Sequence, residues 1–409
     1  MRKLLFISFA FFILLSCEDE NPEIKIKDLL TVNTGYINYD EEAKTFLVIS
    51  NNTSDLKYVE LQNDSTYIIK SKNNFLKDKI HIHVLEYNHH EENLWYVKSY
   101  FNVSKGKTMN LSVSKNNKST SSYSVYVDFD NIPGYDFVTL SAMYRGHCHT
   151  QTTFDLVCSP SGYYQTMDED FRYYVCLQDE LGGKYKLKDI PKNVSNHTIS
   201  LDNLSSDMAM HTFPKMINDK EIQKIKIKGY DNSKSFEIFN MENDIIDLFT
   251  DNIIAYFPND EFQSFSTYMR YEKDDYYYTN EVLGDVTNEF TFMDAVLTVS
   301  GDGNSFPEID TDGAFNYSYV AAKNDAGFWY SYTDKTDNLV FPEIPAEMFG
   351  AEALNGMMNS LKSFRIELNY FPNSEISYQD VIDNLIFDGE EPSKGNTTII
   401  HGYFKTIEK

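Results

Sequence analysis

Two His-x-His pairs are the first residues in this sequence whose types and spacing fit a chemical role. His81 and His83 form one pair, and His147 and His149 bracket Cys148 in the other. Side chains two residues apart on a strand point to one face, so each pair offers two nitrogens that zinc or copper can bind. Cys148 would point to the opposite face. We therefore favour half-exposed strand histidines beside a disulfide cysteine, with a metal site as the alternative.

An acidic stretch is the better candidate for a metal site. Gly301–Gly313 reads GDGNSFPEIDTDG, in which Glu308, Asp310 and Asp312 alternate like the ligands in the first half of a calcium loop. Asp302 adds a carboxylate from the preceding turn. The twelfth position of such a loop, where a bidentate glutamate belongs, is not acidic. The stretch predicts calcium as a cofactor, and a solvated β-turn loop is the alternative.

Aromatic residues form the third chemical signal. The chain contains 30 Tyr, 29 Phe and 2 Trp, and exposed rings can stack on the apolar faces of sugars while nearby polar groups bond the hydroxyls. Phe315, Tyr317 and Tyr319 alternate on one strand face, a pattern more typical of a buried core. The sugar contacts predicted from the other aromatic clusters are Trp329, Tyr330, Tyr277 and Trp95.

Motifs that would mark an enzyme are absent from the sequence. It has no G-x-S-x-G elbow, no phosphate-binding loop, no dinucleotide fingerprint and no paired C-x-x-C. His89 and His90 precede two glutamates, but Leu94 stands where a zinc-protease helix needs its second histidine. A glycan-cleaving enzyme needs two facing carboxylates, and no such pair is marked. We expect a protein without catalytic activity, and a glycan-cleaving enzyme is the less favoured alternative.

The elements that must position these residues are mostly short β-strands. Alternating segments such as KIHIHVLEY and NLWYVKSYFNV predict one β-sandwich over residues 31–114 and a second over 123–242, both immunoglobulin-like in the broad sense. Residues 250–409 predict a larger β-rich domain with one or two helices. The fold class expected from the sequence is therefore mainly β, with tandem sandwiches before the larger domain.

The main helix of the C-terminal domain is expected near residues 346–362. Its apolar residues recur at the spacing of one helix face, which must pack on a sheet. These residues are Leu354, Met357, Met358 and Leu361. The segment SYQDVIDNLI is a second, shorter helix candidate.

The net charge excludes several classes of partner. The chain has 36 Lys and Arg against 62 Asp and Glu, a formal net charge of −26. Nucleic acids and anionic lipids are poor partners because their phosphates would be repelled. Cations and neutral or weakly charged ligands remain compatible with the charge.

The amino-terminal segment resembles a bacterial lipoprotein signal. Arg2 and Lys3 precede the apolar run Leu4–Leu15, which is shorter than the roughly 20 residues needed to cross a bilayer. The run ends in LLSC, which resembles the lipobox of lipoproteins. This resemblance implies cleavage of residues 1–16 and attachment of lipid, with acyl chains such as palmitate, to Cys17. An ordinary signal peptide is the alternative.

The residues after the cysteine resemble an export signal. Glu18, Asp19 and Glu20 look like the acidic tag of surface-exposed lipoproteins of Bacteroidota. This resemblance implies an outer-membrane protein that faces outward, with residues 17–30 as a tether. A solvated acidic tether on a protein that faces the periplasm is the alternative.

Lipidation of Cys17 would leave three cysteines, an odd number, for disulfides in an oxidising compartment. We favour Cys148 with Cys158, ten residues apart on neighbouring strands, and Cys158 with Cys176 is the alternative. Together these features predict a non-catalytic binding protein of the cell surface. A glycan ligand, in adhesion or beside a nutrient-uptake complex, is favoured by analogy with tethered sandwich lipoproteins. A structural or protein-binding lipoprotein is the alternative.

Overall fold

The chain is described here by a computed structural model. The described residues are 27–38, 42–51, 56–71, 79–88, 94–111, 126–130, 137–142, 147–151, 171–179, 182–190, 196–200, 203–231, 234–242, 252–273, 276–300, 306–334, 339, 341, 344–357, 361–371, 376–383 and 399–408. They form 68% strand and 6% helix, which confirms the mainly β prediction.

The first half of the described chain consists of strands. They are β1 (Lys27–Thr34), β2 (Lys44–Ser50), β3 (Leu56–Leu61), β4 (Thr66–Ser71), β5 (Lys79–Asn88), β6 (Leu94–Ser104), β7 (Lys107–Leu111), β8 (Tyr126–Asp130), β9 (Phe137–Ala142), β10 (His147–Gln151), β11 (Phe171–Asp179), β12 (Gly182–Ile190) and β13 (Asn196–Ser200).

The second half adds further strands and two short helices. The strands are β14 (Met208–Pro214), β15 (Met216–Ile217), β16 (Lys220–Asp231), β17 (Lys234–Glu242), β18 (Asn252–Pro258), β19 (Ser264–Lys273), β20 (Tyr276–Gly284), β21 (Ala295–Ser300), β22 (Glu308–Gly313), β23 (Tyr317–Asn324), β24 (Gly327–Thr333), β25 (Ser363–Tyr370) and β26 (Ile399–Glu408). The helices are α1 (Ala351–Gly356) and α2 (Tyr378–Ile382).

One 13-stranded sheet dominates the architecture. Its order is β15-β16-β19-β20-β26-β25-β23-β24-β6-β5-β2-β3, and β17 pairs with β16. The sheet contains strands from all three predicted domains. It is continuous because β24 pairs in parallel with β6, from Gly327 opposite Trp95 to Tyr332 opposite Tyr100. The units 31–114 and 250–409 are therefore joined by backbone hydrogen bonds, and the domain boundaries stay predictions.

Glycine 327 allows this parallel pairing to begin. Its φ of 152° lies in a region that other residues rarely adopt, and a Cβ there would overlap the carbonyl oxygen of Trp95. Asn324 fixes the turn before it, because its Oδ1 accepts from the amide nitrogens of Ala326 and Gly327 at 2.8 and 3.1 Å. A tight turn and a residue without a side chain thus bring β24 against β6.

A smaller sheet of order β4-β1-β7 packs on the main sheet. Leu30, Val32 and Met109 of the small sheet share a buried cluster with Ile82 and Val84 of the main sheet. Burial of this apolar surface is the main force that holds the layers together. The N-terminal unit thus has two packed sheets, although one of them extends far beyond the unit.

The predicted long helix is shorter than expected. It begins only at Ala351, because Gly350 has a φ of 76° and a Cβ at that position would overlap the Trp95 ring. Leu354 and Met357 are fully buried as predicted. The second candidate does form a helix, α2, which Ser377 and Asp380 start with a reciprocal capping box. No helix in the described part of the chain is long and apolar enough to cross a bilayer.

Candidate functional site

Four adjacent strands of the main sheet display an aromatic and charged face, which we call the tyrosine face. It is formed by β25, β23, β24 and β6, whose paired residues share one side of the sheet because directly opposed side chains point the same way. The first row is Ser363, Lys323, Phe328 and Tyr96. The second row is Arg365, Ala321, Tyr330 and Lys98. The third row is Glu367, Tyr319, Tyr332 and Tyr100.

Four rings of this face, drawn from all three rows, lie nearly parallel to one another, and we call them the aromatic array. Tyr96 and Phe328 have centroids 5.2 Å apart and an interplanar angle of 11°. The next pair, Phe328 and Tyr330, is separated by 6.2 Å with an angle of 3°, and Tyr330 and Tyr319 by 6.4 Å with an angle of 11°. All four rings are half-buried. The sheet therefore holds an ordered aromatic array that still reaches solvent.

The third row closes the face on one side. Tyr100 is 8% exposed and belongs to the cluster under the small sheet. Tyr332 packs against the same cluster, and its ring stacks on that of Tyr100 at 5.5 Å and 9°. The first and second rows, together with Tyr319 of the third, are accordingly the accessible part of the tyrosine face.

Charged side chains lie between the rings. The Arg365 guanidinium forms an ion pair with the Glu367 carboxylate, and the two side chains are 47% and 17% exposed. Burial raises the pKa of Glu367, and the positive charge of Arg365 opposes that shift. Lys323 places its Nζ 5.0 Å from the centroid of the Phe328 ring, and Lys98 lies 3.5 Å from Glu86. The face is thus mixed in charge rather than acidic like the whole chain.

The opposite, buried side of the same strands carries a polar chain. Both ring nitrogens of His83 contact a serine hydroxyl. Nε2 lies 3.3 Å from the hydroxyl of Ser50, and Nδ1 lies 2.8 Å from the hydroxyl of Ser99. The Trp329 indole donates to Ser99 Oγ at 2.8 Å. Burial, and to a smaller extent the nearby His81, lowers the pKa of His83 to about 3.

Two alternatives for the His81 and His83 pair can now be decided. His83 is fully buried, and both of its nitrogens are engaged by serine hydroxyls. His81 accepts the backbone N–H of Asn102 at 3.1 Å. This pair is therefore not a metal site, and the prediction that His83 is half-exposed was wrong. The side chains of His147, Cys148 and His149 on β10 are outside the described residues.

Both tryptophans predicted as sugar contacts are buried. Trp329 is 0% exposed and Trp95 is 2% exposed, so the prediction of exposed rings at these positions was wrong. The reason is a partner that the sequence does not reveal, since Ser99 satisfies the Trp329 N–H inside the core. Trp95 is enclosed by Tyr87 and Phe349, with ring centroids 5.2 and 5.9 Å away.

Tyr330 and Tyr277, the other two predicted contacts, are half-buried and lie on the same side of the main sheet. Tyr330 is in the second row of the tyrosine face. Tyr277 of β20 is opposite Phe404 of β26, which is opposite Glu367, so the third row continues to it. Four strand spacings, about 19 Å, separate Tyr277 from Tyr330. Arg270 lies over the Tyr277 ring at 5.1 Å.

The predicted calcium loop is a strand over its second half. Glu308, Asp310 and Asp312 are exposed residues of β22, opposite Ser300, Thr298 and Val296 of β21. Successive carboxylates along a strand do not wrap around an ion, whereas those of a calcium loop do. Nowhere in the described ranges do three or more His, Cys, Asp or Glu side chains gather to hold a metal. Asp302 lies outside those ranges, and calcium stays a prediction.

The remaining predicted sites lie outside the described residues. They are Cys17, Glu18, Asp19, Glu20, Cys158 and the side chain of Cys148. Cys176 is a free, buried thiol, and burial raises its pKa to about 12. This disagrees with the alternative pairing of Cys158 with Cys176, while the favoured pairing with Cys148 stays a prediction.

Most of the tyrosine face was not predicted from the sequence. Tyr319 was assigned to a buried face together with Phe315 and Tyr317, yet all three are half-buried. Lys98 lies between Tyr96 and Tyr100 along one face of β6, and a charged residue between rings is a sign of a face that reaches water. The strand pairing that joins these residues links segments more than 200 residues apart, which no local pattern reveals.

The chain was compared with known proteins. Neither protein-family models nor curated proteins give a match. One solved structure, described by the words "Ca2+-stabilized adhesin helps an Antarctic bacterium reach out and bind ice", aligns with 85% of this chain and 94% of its own at 8% identity and a TM-score of 0.14. Such a TM-score does not indicate a common fold, so the calcium and ice named for that protein are not transferred to this chain.

Proposed function

We propose that this chain is a lipid-anchored binding protein of the bacterial cell surface, which holds a glycan on the tyrosine face and does not cleave it. The observation that carries the proposal is the aromatic array, the four nearly parallel, half-buried rings. Aromatic surface that reaches solvent is costly to leave uncovered and is typical of recognition sites. An array that is ordered before binding also loses little entropy when a ligand arrives.

The chemistry of the face suits a sugar better than a wholly apolar partner. The rings offer apolar contact to sugar C–H faces, while phenol hydroxyls, Lys98 and Arg365 offer hydrogen bonds to sugar hydroxyls. Glu367 is the one carboxylate of the three rows, and it is ion-paired with Arg365.

The lipid anchor follows from the LLSC segment and is part of the proposal. Nine residues, 18–26, lie between Cys17 and the start of β1 at Lys27, and the ten steps from Cys17 to Lys27 span at most about 35 Å in an extended chain. The small sheet would therefore lie close to the outer membrane. The acidic residues after Cys17 support an outward orientation, in which the protein serves adhesion or supplies glycans to an uptake complex.

A glycan array probed with the soluble chain, residues 21–409, tests this proposal. We expect at least one polysaccharide to bind. Tyr330→Ala should weaken that binding about tenfold or more, because the variant removes a ring from the middle of the aromatic array. Tyr58→Ala is the matched control, since Tyr58 is an exposed tyrosine on β3, outside the tyrosine face. Silence across neutral and acidic polysaccharides would reject the proposal in favour of a protein partner.

A further inference from the structure

A lysine, a glutamate and an asparagine meet on strands β16 and β17 of the main sheet. Lys226 of β16 is directly opposite Asn240 of β17, so their Cβ atoms are about 5 Å apart on one side of the sheet. Glu237 contacts both residues. Its Oε2 forms an ion pair with the Lys226 ammonium, and its Oε1 accepts from Nδ2 of Asn240 at 2.9 Å. One carboxylate thus holds an amine and a side-chain amide together.

A β-bulge in β17 produces this arrangement. Glu237 and Asn240 are three residues apart, which on a regular strand would place their side chains on opposite sides. The pairing with β16 shifts between Ile227 and Lys228, so that Ile238 has no opposite residue. The bulge turns Glu237 to the side of Lys226 and Asn240. Bulges commonly re-aim a side chain in this way at functional sites.

Water has limited access to the three groups. The side chains of Lys226 and Glu237 are 27% and 13% exposed, and Asn240 is half-buried. Tyr268 of β19 is opposite Lys226 on the other side, and burial raises the pKa of its hydroxyl. Transfer of a proton from the ammonium to Glu237 leaves both groups neutral, which costs less where charges are poorly solvated than it does in water. The neutral amine that results is a nucleophile.

We propose that Lys226 and Asn240 join in an intramolecular isopeptide bond, with Glu237 as the group that moves the protons. Nζ of Lys226 attacks Cγ of Asn240, the Nζ–Cγ bond forms, and the Cγ–Nδ2 bond breaks. The two protons that the lysine ammonium gives up both pass to the leaving nitrogen, which departs as ammonium while Glu237 returns to its ionised form. The reaction consumes no other reactant and takes place once in each chain.

Such a bond would fasten an edge of the main sheet. Among the described strands, β17 is paired in the sheet only with β16, and a strand that is held on one side alone is the part of a sheet most open to displacement. A covalent link from β16 would keep β17 in place. This inference goes beyond glycan binding and does not depend on it, because no residue of the three belongs to the tyrosine face.

The intact mass of the soluble chain, residues 21–409, measured after reduction and alkylation, tests this proposal. We expect the chain to be lighter than its sequence mass by one ammonia. Lys226→Arg keeps a cation beside Glu237 and should restore the full mass, as should Glu237→Gln. Asn240→Asp should still form the bond but lose water instead. Lys228→Arg is the matched control, since Lys228 is directly opposite Glu237, and it should leave the loss of ammonia unchanged.

Digestion with trypsin locates the bond. Trypsin does not cleave after a lysine whose amine is acylated, so a branched peptide should join residues 225–228 to residues 235–270. A mass equal to that of the sequence would overturn the proposal. A loss of ammonia that persists in Lys226→Arg would also reject it, because another asparagine would then be the source. Formation of the branched peptide at an unchanged rate in Glu237→Gln would remove Glu237 from the reaction.

Discussion

The buried histidine should make the stability of this protein depend on pH. His83 has a pKa of about 3 in the folded chain, below the usual histidine value of 6.5, which we take for the unfolded chain. Between these values the unfolded chain binds one more proton than the folded chain. The stabilisation is therefore fully present above pH 6.5 and declines as the pH falls towards 3. The slope is about 1.4 kcal/mol per pH unit, which gives a loss of about 2 kcal/mol between pH 7 and pH 5.

His83→Gln isolates this effect from all other titrating groups. Glutamine also hydrogen-bonds, but it does not titrate, and the carboxylates common to both proteins cancel in the difference. At pH 7 the variant should be less stable by about 1 to 3 kcal/mol, because the contacts of His83 to Ser50 and Ser99 are disturbed. At pH 5 that difference should have fallen by about 2 kcal/mol, to near zero or to a small advantage for the variant.

Urea unfolding at several pH values, followed by tryptophan fluorescence, measures this difference. Trp329 is a suitable probe because its indole shares Ser99 with His83, and Trp95 is also buried. If the stability difference between the two proteins is the same at pH 7 and pH 5, His83 does not gain a proton on unfolding. The assignment of His83 as a buried histidine with a lowered pKa would then be wrong.

Three further predictions concern backbone, packing and anchor. Gly327→Ala should lower the urea midpoint by an amount equivalent to about 2 kcal/mol or more, since its Cβ would overlap the Trp95 carbonyl; an unchanged midpoint would contradict this. Tyr378→Phe should cost about 1 kcal/mol in the same assay, because its hydroxyl lies 2.6 and 2.9 Å from two backbone carbonyl oxygens; no loss would make that contact dispensable. Cys17→Ala should abolish palmitate labelling in cells, and persistent label would refute lipidation there.

Local patterns predicted the strands well because alternation is a local property. In β24, for example, Trp329 and Ser331 point to one side, and Phe328, Tyr330 and Tyr332 to the other. The sequence does not state which side becomes the core, since both sides carry large rings. That choice depends on β6, which is more than 200 residues away in the chain. This is why the buried Trp329 was predicted as a ligand contact, while the prediction of Tyr330, which is half-buried, stays a prediction.

Helix length was also beyond the reach of local periodicity. Leu354, Met357 and Leu361 have helical spacing and are all buried, but only Ala351–Gly356 forms the helix α1. Gly350 has a positive φ and has room for no side chain beside Trp95, and this backbone conformation ends any helix extending from further upstream. Spacing thus identified the residues of the core, whereas a tertiary contact set where the helix begins.

The two sides of the main sheet differ in polarity in an unexpected way, since polar groups lie on the buried side and rings reach solvent on the other. This difference bears on function. On the buried side, His83, Ser99 and Ser331 are neighbours in register across three strands, and the Ser331 hydroxyl has no hydrogen-bond partner among the described residues. On the opposite side, part of the aromatic array of the tyrosine face reaches solvent. Stability alone would favour the reverse, since buried polar groups cost free energy and exposed rings gain little. Local choices that work against stability are expected where a surface serves another purpose, and the ligand binding that we propose for the tyrosine face would be such a purpose.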